Sequence, residues 1–118
     1  MLPAGLQRIL VVDDEPLVCA SICMLLSAEG HQVVSAQSGE EALAKFDAGR
    51  FDVVLTDFRM PGMKGDQLAR EIKVRVQSQP IIMLTGFPPA QIPPGIAFVL
   101  LKPFHMQDLR EALAHVAT

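Results

Sequence analysis

The chain has 118 residues, of which 50% are apolar and 19% charged, and its formal net charge is −3. This composition fits one folded domain and excludes a disordered chain. The acidic excess argues against direct binding to nucleic acid or to an anionic membrane, because both are usually bound by basic patches. The uncharged run at 16–28 is too short to span a bilayer, and the N-terminus lacks the basic region of a signal peptide. We therefore expect a cytoplasmic protein without membrane contact.

Apolar segments rich in β-branched residues alternate with helical patterns along the chain. The predicted order is strand 8–12, helix 16–29, strand 32–36, helix 39–48, strand 52–56, helix 65–76, strand 80–84, strand 97–101 and helix 106–116. Buried strands separated by helices predict a parallel sheet that is covered on both faces and has right-handed crossovers. We expect a single α/β domain over residues 1–118.

The connection at 86–95, between the fourth and fifth predicted strands, breaks this pattern. It holds four of the nine prolines. A proline inside a helix costs about 3 kcal/mol, and it also disfavours the α region for the residue before it. We therefore expect at most one helical turn here, so that the fourth helix of such a fold would be missing or degenerate.

Polar side chains follow four of the five predicted strands. Asp13 and Asp14 follow the first strand, Asp57 the third, Thr85 the fourth and Lys102 the fifth. Ligands of open parallel sheets bind beyond the carboxyl ends of the strands, so these side chains should line one crevice. Asp14 could instead cap a helix, and Asp57 and Thr85 could begin turns. Lys102 could be a solvated surface residue, but the shared position of all five favours a common site.

Three carboxylates in one crevice repel one another, which favours a divalent counter-ion. Mg²⁺ suits a site made of a few carboxylates and waters. A carboxylate beside the ion can attack phosphorus and form an aspartyl phosphate. Mg²⁺ and a lysine would then offset the charge of the phosphoryl oxygens, and a hydroxyl such as that of Thr85 could bind one of them.

At these residues the sequence resembles the receiver domains of two-component response regulators. The motifs that carry the resemblance are Val-Val-Asp-Asp-Glu-Pro at 11–16, Leu-Thr-Asp-Phe-Arg-Met-Pro-Gly at 55–62, Thr-Gly at 85–86 and Lys-Pro-Phe at 102–104. The resemblance extends over residues 8–116. It implies a doubly wound, flavodoxin-like sheet of five parallel strands in the order 2-1-3-4-5.

The resemblance also implies a role for each acidic residue. Asp57 would accept a phosphoryl group from the phosphohistidine of a histidine kinase. Asp14, Asp57 and the backbone carbonyl of Arg59 would bind Mg²⁺ directly, whereas Asp13 would act through a metal-bound water. The domain would relay a signal by changing conformation, and it would catalyse only its own phosphorylation and dephosphorylation.

Two further site residues and the partner follow from the same resemblance. Lys102 would contact the phosphate, before a cis peptide bond to Pro103, and Thr85 would be the switch hydroxyl. The partner would be a histidine kinase or a phosphotransfer protein, docking near the first helix and the turn at 102–106. The sequence leaves the oligomeric state open.

Two alternative functions use the same residues differently. A Mg²⁺-dependent phosphohydrolase could use Asp57 as its nucleophile, but haloacid-dehalogenase-type enzymes usually carry a second acid where Arg59 stands here. The other alternative is a receiver-like interaction module that is never phosphorylated. Such modules typically lose the acidic pocket or the lysine, and here both are present.

The sequence departs from the family pattern around the expected switch. The aromatic residue that usually stands three positions before the lysine is replaced by Val99, and the adjacent Phe98 should point to the opposite face of the sheet. We therefore expect phosphorylation to draw in Thr85 and to reorder the loop at 87–95 in place of a helix. The uncharged first helix has either ordinary exposed apolar residues or a docking patch on its outer face.

Overall fold

The structure is a computed structural model that describes residues 4–117; residues 1–3 and 118, the ends of the predicted domain, lie outside the described residues. The elements are β1 Arg8–Val12, α1 Pro16–Ala28, β2 Gln32–Ala36, α2 Gly39–Ala48, β3 Val53–Asp57, α3 Gly65–Arg75, β4 Ile81–Thr85, β5 Phe98–Leu101 and α4 Met106–Ala117. Every predicted element is present, and no predicted boundary is wrong by more than one residue.

All strand pairs are parallel, and the sheet order is β2-β1-β3-β4-β5. The predicted order is therefore confirmed. The three central strands, β1, β3 and β4, are buried almost throughout. A strand that is covered on both faces needs apolar side chains at successive positions, and this explains the continuous apolar runs in the sequence.

The helices divide the core into two layers, one on each face of the sheet. α1 and α4 pack on one face, and α2 and α3 pack on the other. Successive residues of β1 alternate between the two cores: Ile9 and Val11 belong to the first, whereas Leu10 and Val12 belong to the second. This double covering leaves the ends of the strands, rather than the faces of the sheet, as the place for a site.

The prediction that a fourth helix is missing is wrong for the number of helices, because the described part of the structure has four, the last of which is α4. The connection between β4 and β5 is a separate case. Residues 86–97 form turns, bends and extended chain without a helix, as expected from their prolines. Gly95 has a φ of +87°, a conformation that glycine adopts without strain, and it turns the chain back towards β5.

The cysteines of α1 are packing residues. Cys19 is buried and Cys23 is half-buried, and both are free thiols. Burial raises the pKa of the Cys19 thiol to about 11, so little reactive thiolate forms at neutral pH. No helix within residues 4–117 combines the length and the apolar character needed to cross a membrane.

Candidate functional site

Three carboxylates meet beyond the carboxyl ends of β1 and β3. Asp13 and Asp14 directly follow β1, and Asp57 is the last residue of β3. The two strands are paired with Val12 opposite Thr56, so they end at the same level. One carboxylate oxygen of each aspartate lies within 4.8 Å of those of the other two. The structure thus brings the predicted acidic residues together.

Asp13 is held in place through both of its carboxylate oxygens. Its Oδ1 accepts the main-chain N–H of Glu15 at 2.9 Å, and its Oδ2 lies 3.4 Å from Nζ of Lys102. The side chain is fully buried, whereas Asp14 is half-buried. The two neighbouring aspartates are therefore suited to different roles in the site.

Lys102 reaches the crevice from the end of β5. Its main-chain N–H donates to the carbonyl of Thr85 at 2.8 Å, and its Nζ donates to Oδ1 of Asp57 at 3.0 Å. Burial lowers the pKa of the Lys102 ammonium, but its hydrogen bond to Asp57 and the nearby negative charges outweigh burial and leave the pKa raised. The peptide bond from Lys102 to Pro103 is cis, as the resemblance implied.

The electrostatics of the crevice favour a cation. Burial raises the pKa of Asp57, and the hydrogen bond and charge of Lys102 offset this only in part. When ionised, the three carboxylates exceed the single ammonium by two charges. A divalent ion with oxygen ligands would balance that excess, and a small set of carboxylates suits Mg²⁺.

Thr85 ends β4 at the same edge of the sheet, but its hydroxyl is turned to the following connection. It donates to the carbonyl oxygen of Phe87 at 3.1 Å and accepts the N–H of Phe87 at 3.3 Å. The structure therefore places Thr85 beside the site, but its hydroxyl is hydrogen-bonded to the main chain of Phe87 rather than to the carboxylates.

Two features of the loops around the crevice were missed by sequence reasoning. A Cβ atom at Gly65 would collide with the carbonyl oxygen of Asp57 and with Cα of Phe58, so glycine allows the start of α3 to pack against the end of β3 and the loop at 58–64. The only sequence signal was its position at the start of a predicted helix. The second feature, the Arg59 guanidinium stacked over the Phe87 ring, had no sequence signal.

The sheet order, the helices on both faces and the acidic crevice at the carboxyl edge define a doubly wound α/β domain with a strand-end site. The sequence matches the family described as the response regulator receiver domain over residues 9–114, and the chain belongs to that family. Receiver domains are signalling modules rather than conventional enzymes. The predicted fold class and family are therefore confirmed.

Individual relatives agree with this assignment. The chain is 34% identical over 107 residues to the transcriptional regulatory protein TcrA of Mycobacterium tuberculosis, a match that covers 86% of this chain and 42% of TcrA. The chain therefore corresponds to less than half of that relative's length.

Solved structures show the same fold. The response regulator TrrA from Thermotoga maritima, crystallised in complex with Mg²⁺-BeF, has a TM-score of 0.87 and 34% identity, covering 94% of this chain and 99% of that chain. The receiver domain of the hybrid histidine kinase CckA has a TM-score of 0.79 and 31% identity, with coverage of 94% and 99%.

Proposed function

We propose that this receiver domain accepts a phosphoryl group on Asp57 from the phosphohistidine of a histidine kinase or phosphotransfer protein, and relays the signal by a change of conformation. The observation that carries the proposal is the contact of 3.0 Å between Lys102 Nζ and Asp57 Oδ1 inside the acidic crevice. An unphosphorylated interaction module is the weaker candidate, because it would have no use for this set of buried charges.

The residues of the crevice fit Mg²⁺. Asp14, Asp57 and the backbone carbonyl of Arg59 would hold the ion directly. Asp13 would act through a water, since both of its oxygens already have protein donors. When bound, Mg²⁺ would offset the charge of the phosphoryl oxygens. The Mg²⁺-BeF complex of TrrA supports this choice of ion.

The transfer step uses Asp57 as the nucleophile, the partner's phosphohistidine as the donor and Lys102 as a contact for the phosphoryl oxygens. An oxygen of Asp57 attacks phosphorus, the bond from phosphorus to the histidine nitrogen breaks, and that nitrogen keeps the electron pair. The Lys102 ammonium then moves from the Asp57 oxygen to the phosphoryl oxygens. The contact with Asp13 keeps this ammonium in the crevice. Attack of water on the same phosphorus breaks its bond to the Asp57 oxygen, which restores the carboxylate and releases inorganic phosphate. The domain would thus catalyse only its own phosphorylation and dephosphorylation.

We place the partner's docking surface on α1 and the turn at 102–106. α1 begins at Pro16, close to Asp14, and carries no charge along its length. Its outer face exposes Leu17 and Met24, and an apolar helix face of this kind suits a partner helix. Residues 1–118 would act as one cytoplasmic receiver domain, without direct contact to nucleic acid or membrane.

The proposal is tested by incubating the protein with a small phosphodonor and recording its intact mass with and without Mg²⁺. We expect one added phosphoryl group that depends on Mg²⁺. Continuous hydrolysis of a generic phosphate ester would favour the phosphohydrolase. The absence of any adduct, with the fold intact, would contradict the proposal and favour the interaction module.

A further inference from the structure

The hydroxyl proton of Thr85 is already donated in a hydrogen bond within the protein. It is donated to the carbonyl oxygen of Phe87 at 3.1 Å, while the hydroxyl oxygen accepts the Phe87 N–H at 3.3 Å. Thr85 is only 6% exposed, so water has little access to replace these bonds. A threonine hydroxyl has a single proton to donate. Thr85 can therefore bind a phosphoryl oxygen only if it releases the carbonyl of Phe87.

The Phe87 side chain is held by a second contact, which comes from the loop after β3. The guanidinium of Arg59 lies over the Phe87 ring at 5.4 Å from its centroid, although Phe87 is 69% exposed. Arg59 stands two residues beyond Asp57, in the loop that we propose supplies a carbonyl ligand to Mg²⁺. Phe87 thus contacts Thr85 through its main chain and the loop at 58–64 through its ring.

The contact crosses a groove of about 310 Å³ between the start of α3 and the β4–β5 connection, and Arg59, Thr85 and Phe87 all line it. No helix lies in residues 86–97 to be shifted, and Val99 provides no ring that could rotate. Phe87 is the first residue after Thr85 with a large side chain, and its main chain is hydrogen-bonded to the Thr85 hydroxyl that must move. It is therefore placed to respond to Thr85.

We propose that Phe87 is a positioning residue for Thr85, which keeps the hydroxyl turned away from Asp57 until a phosphoryl group competes for its proton. This rests on the proposed function, because the competitor is the phosphoryl group on Asp57. When Thr85 turns to the phosphate, the Phe87 carbonyl loses its donor and the Phe87 N–H loses its acceptor. The ring then leaves Arg59, and the following prolines, with fixed φ angles, move with it.

Beryllofluoride with Mg²⁺, which mimics a phosphoryl group on a carboxylate, is the probe for this role. Phe87→Leu removes the contact that favours the unphosphorylated arrangement and leaves the main chain in place. We expect it to tighten the apparent affinity for beryllofluoride by about two- to fivefold, the effect of one exposed cation–π contact. Affinity for Mg²⁺ alone should stay unchanged.

Two comparisons separate this role from a general effect on the loop. Ile92→Ala alters another exposed apolar residue of the same loop and should leave the beryllofluoride affinity at the wild-type value. In a Thr85→Ala background, Phe87→Leu should have no effect, because the ring acts through the hydroxyl. Hydrogen exchange at the Phe87 amide should become faster when beryllofluoride binds, since its acceptor is withdrawn.

The outcomes distinguish this inference from the function on which it rests. The inference is wrong if the wild-type protein binds beryllofluoride but Phe87→Leu does not change the affinity. It is also wrong if Phe87→Leu changes the affinity equally in the Thr85→Ala background. In both cases the proposed function stands. If the wild-type protein does not bind beryllofluoride with Mg²⁺, the proposed function fails and the inference fails with it.

Discussion

At the scale of single residues, the site depends on neighbouring aspartates that are held differently. Both oxygens of Asp13 accept hydrogen bonds from the protein, whereas Asp14 is half-buried at the edge of the crevice. A carboxylate with occupied oxygens is suited to orient a water and a lysine. A more accessible one is suited to bind the ion itself.

This difference predicts unequal effects on Mg²⁺ affinity. Asp13→Asn should weaken binding about tenfold, as expected for a residue that acts through another group, and Asp14→Asn should weaken it more. Calorimetric titration of both variants provides the measurement, and the two substitutions are matched in size and in charge removed. Equal losses would contradict the division between direct and water-mediated roles.

A second prediction at this scale concerns His31, which lies far from the acidic crevice. The main-chain N–H of Gln7 donates to Nδ1 of His31 at 3.0 Å, so that nitrogen must be unprotonated. Burial lowers the pKa of His31 below its ordinary value of 6.5, and the charge of Glu29 offsets this only in part. The unfolded chain therefore takes up a proton at a higher pH than the folded protein does.

The stabilising contribution of neutral His31 should be fully present above about pH 6.5 and should fall as the pH drops towards the lowered pKa of the folded state. Urea midpoints measured between neutral and mildly acidic pH should decrease for the wild-type protein. The decrease should be smaller for His31→Gln, which cannot take up the proton. The same decrease in both proteins would show that His31 is not responsible.

At the scale of elements, the end of β3 and the loop at 58–64 are positioned by the close approach of α3. The main-chain N–H of Gly65 donates to the carbonyl of Phe58 at 2.9 Å, and a Cβ at residue 65 has no room beside Asp57. The first turn of α3 therefore fixes the position of the Asp57 main chain at the edge of the crevice. Burial of the strands would not achieve this on its own.

Gly65→Ala should consequently destabilise the fold by about 1–3 kcal/mol, the usual cost of overpacking, and should also weaken Mg²⁺ binding. Gly86→Ala is the matched control, because a Cβ there meets no atom within 4 Å and should leave the urea midpoint unchanged or slightly higher. The account of α3 would be wrong if both variants had wild-type stability and Mg²⁺ affinity.

The outer face of α1 provides the prediction for partner binding. Leu17 on α1 is 83% exposed, and Val74 on α3 is 84% exposed. Leu17→Glu should slow phosphotransfer from a phosphohistidine donor, while phosphorylation by a small phosphodonor stays at the wild-type rate. Val74→Glu should affect neither reaction. If Val74→Glu slowed transfer from the histidine donor as much as Leu17→Glu, the docking surface would not be on α1.

At the scale of the whole molecule, the sequence was sufficient to predict the sheet and the composition of its edge. β1, β3 and β4 are apolar at successive positions and are separated by helices, a combination that is typical of a parallel sheet covered on both faces. Once the sheet is parallel, residues that follow different strands must meet at one edge. This is why Asp13, Asp57 and Lys102 could be grouped without a structure.

The loops could not be predicted to the same depth. The end of β3 is one residue later than expected because its ladder continues to Asp57, opposite Leu84. The stacking of Arg59 on Phe87 and the orientation of the Thr85 hydroxyl depend on the paths of the loop at 58–64 and of the connection at 86–97. Neither segment has a periodic sequence pattern from which its path could be predicted. The predictable features are therefore those that repeat along a strand or helix, whereas the loop contacts depend on how distant segments fold against each other.

The role of Asp57 as the phosphoryl acceptor is tested by locating the phosphoryl group on the protein. The protein is phosphorylated by a small phosphodonor with Mg²⁺ and fragmented in a mass spectrometer, with Asp57→Asn treated in parallel as the size-matched control. We expect one phosphoryl group, on Asp57 alone, and none on Asp57→Asn. A phosphoryl group on any other residue, or undiminished labelling of Asp57→Asn, would contradict the account.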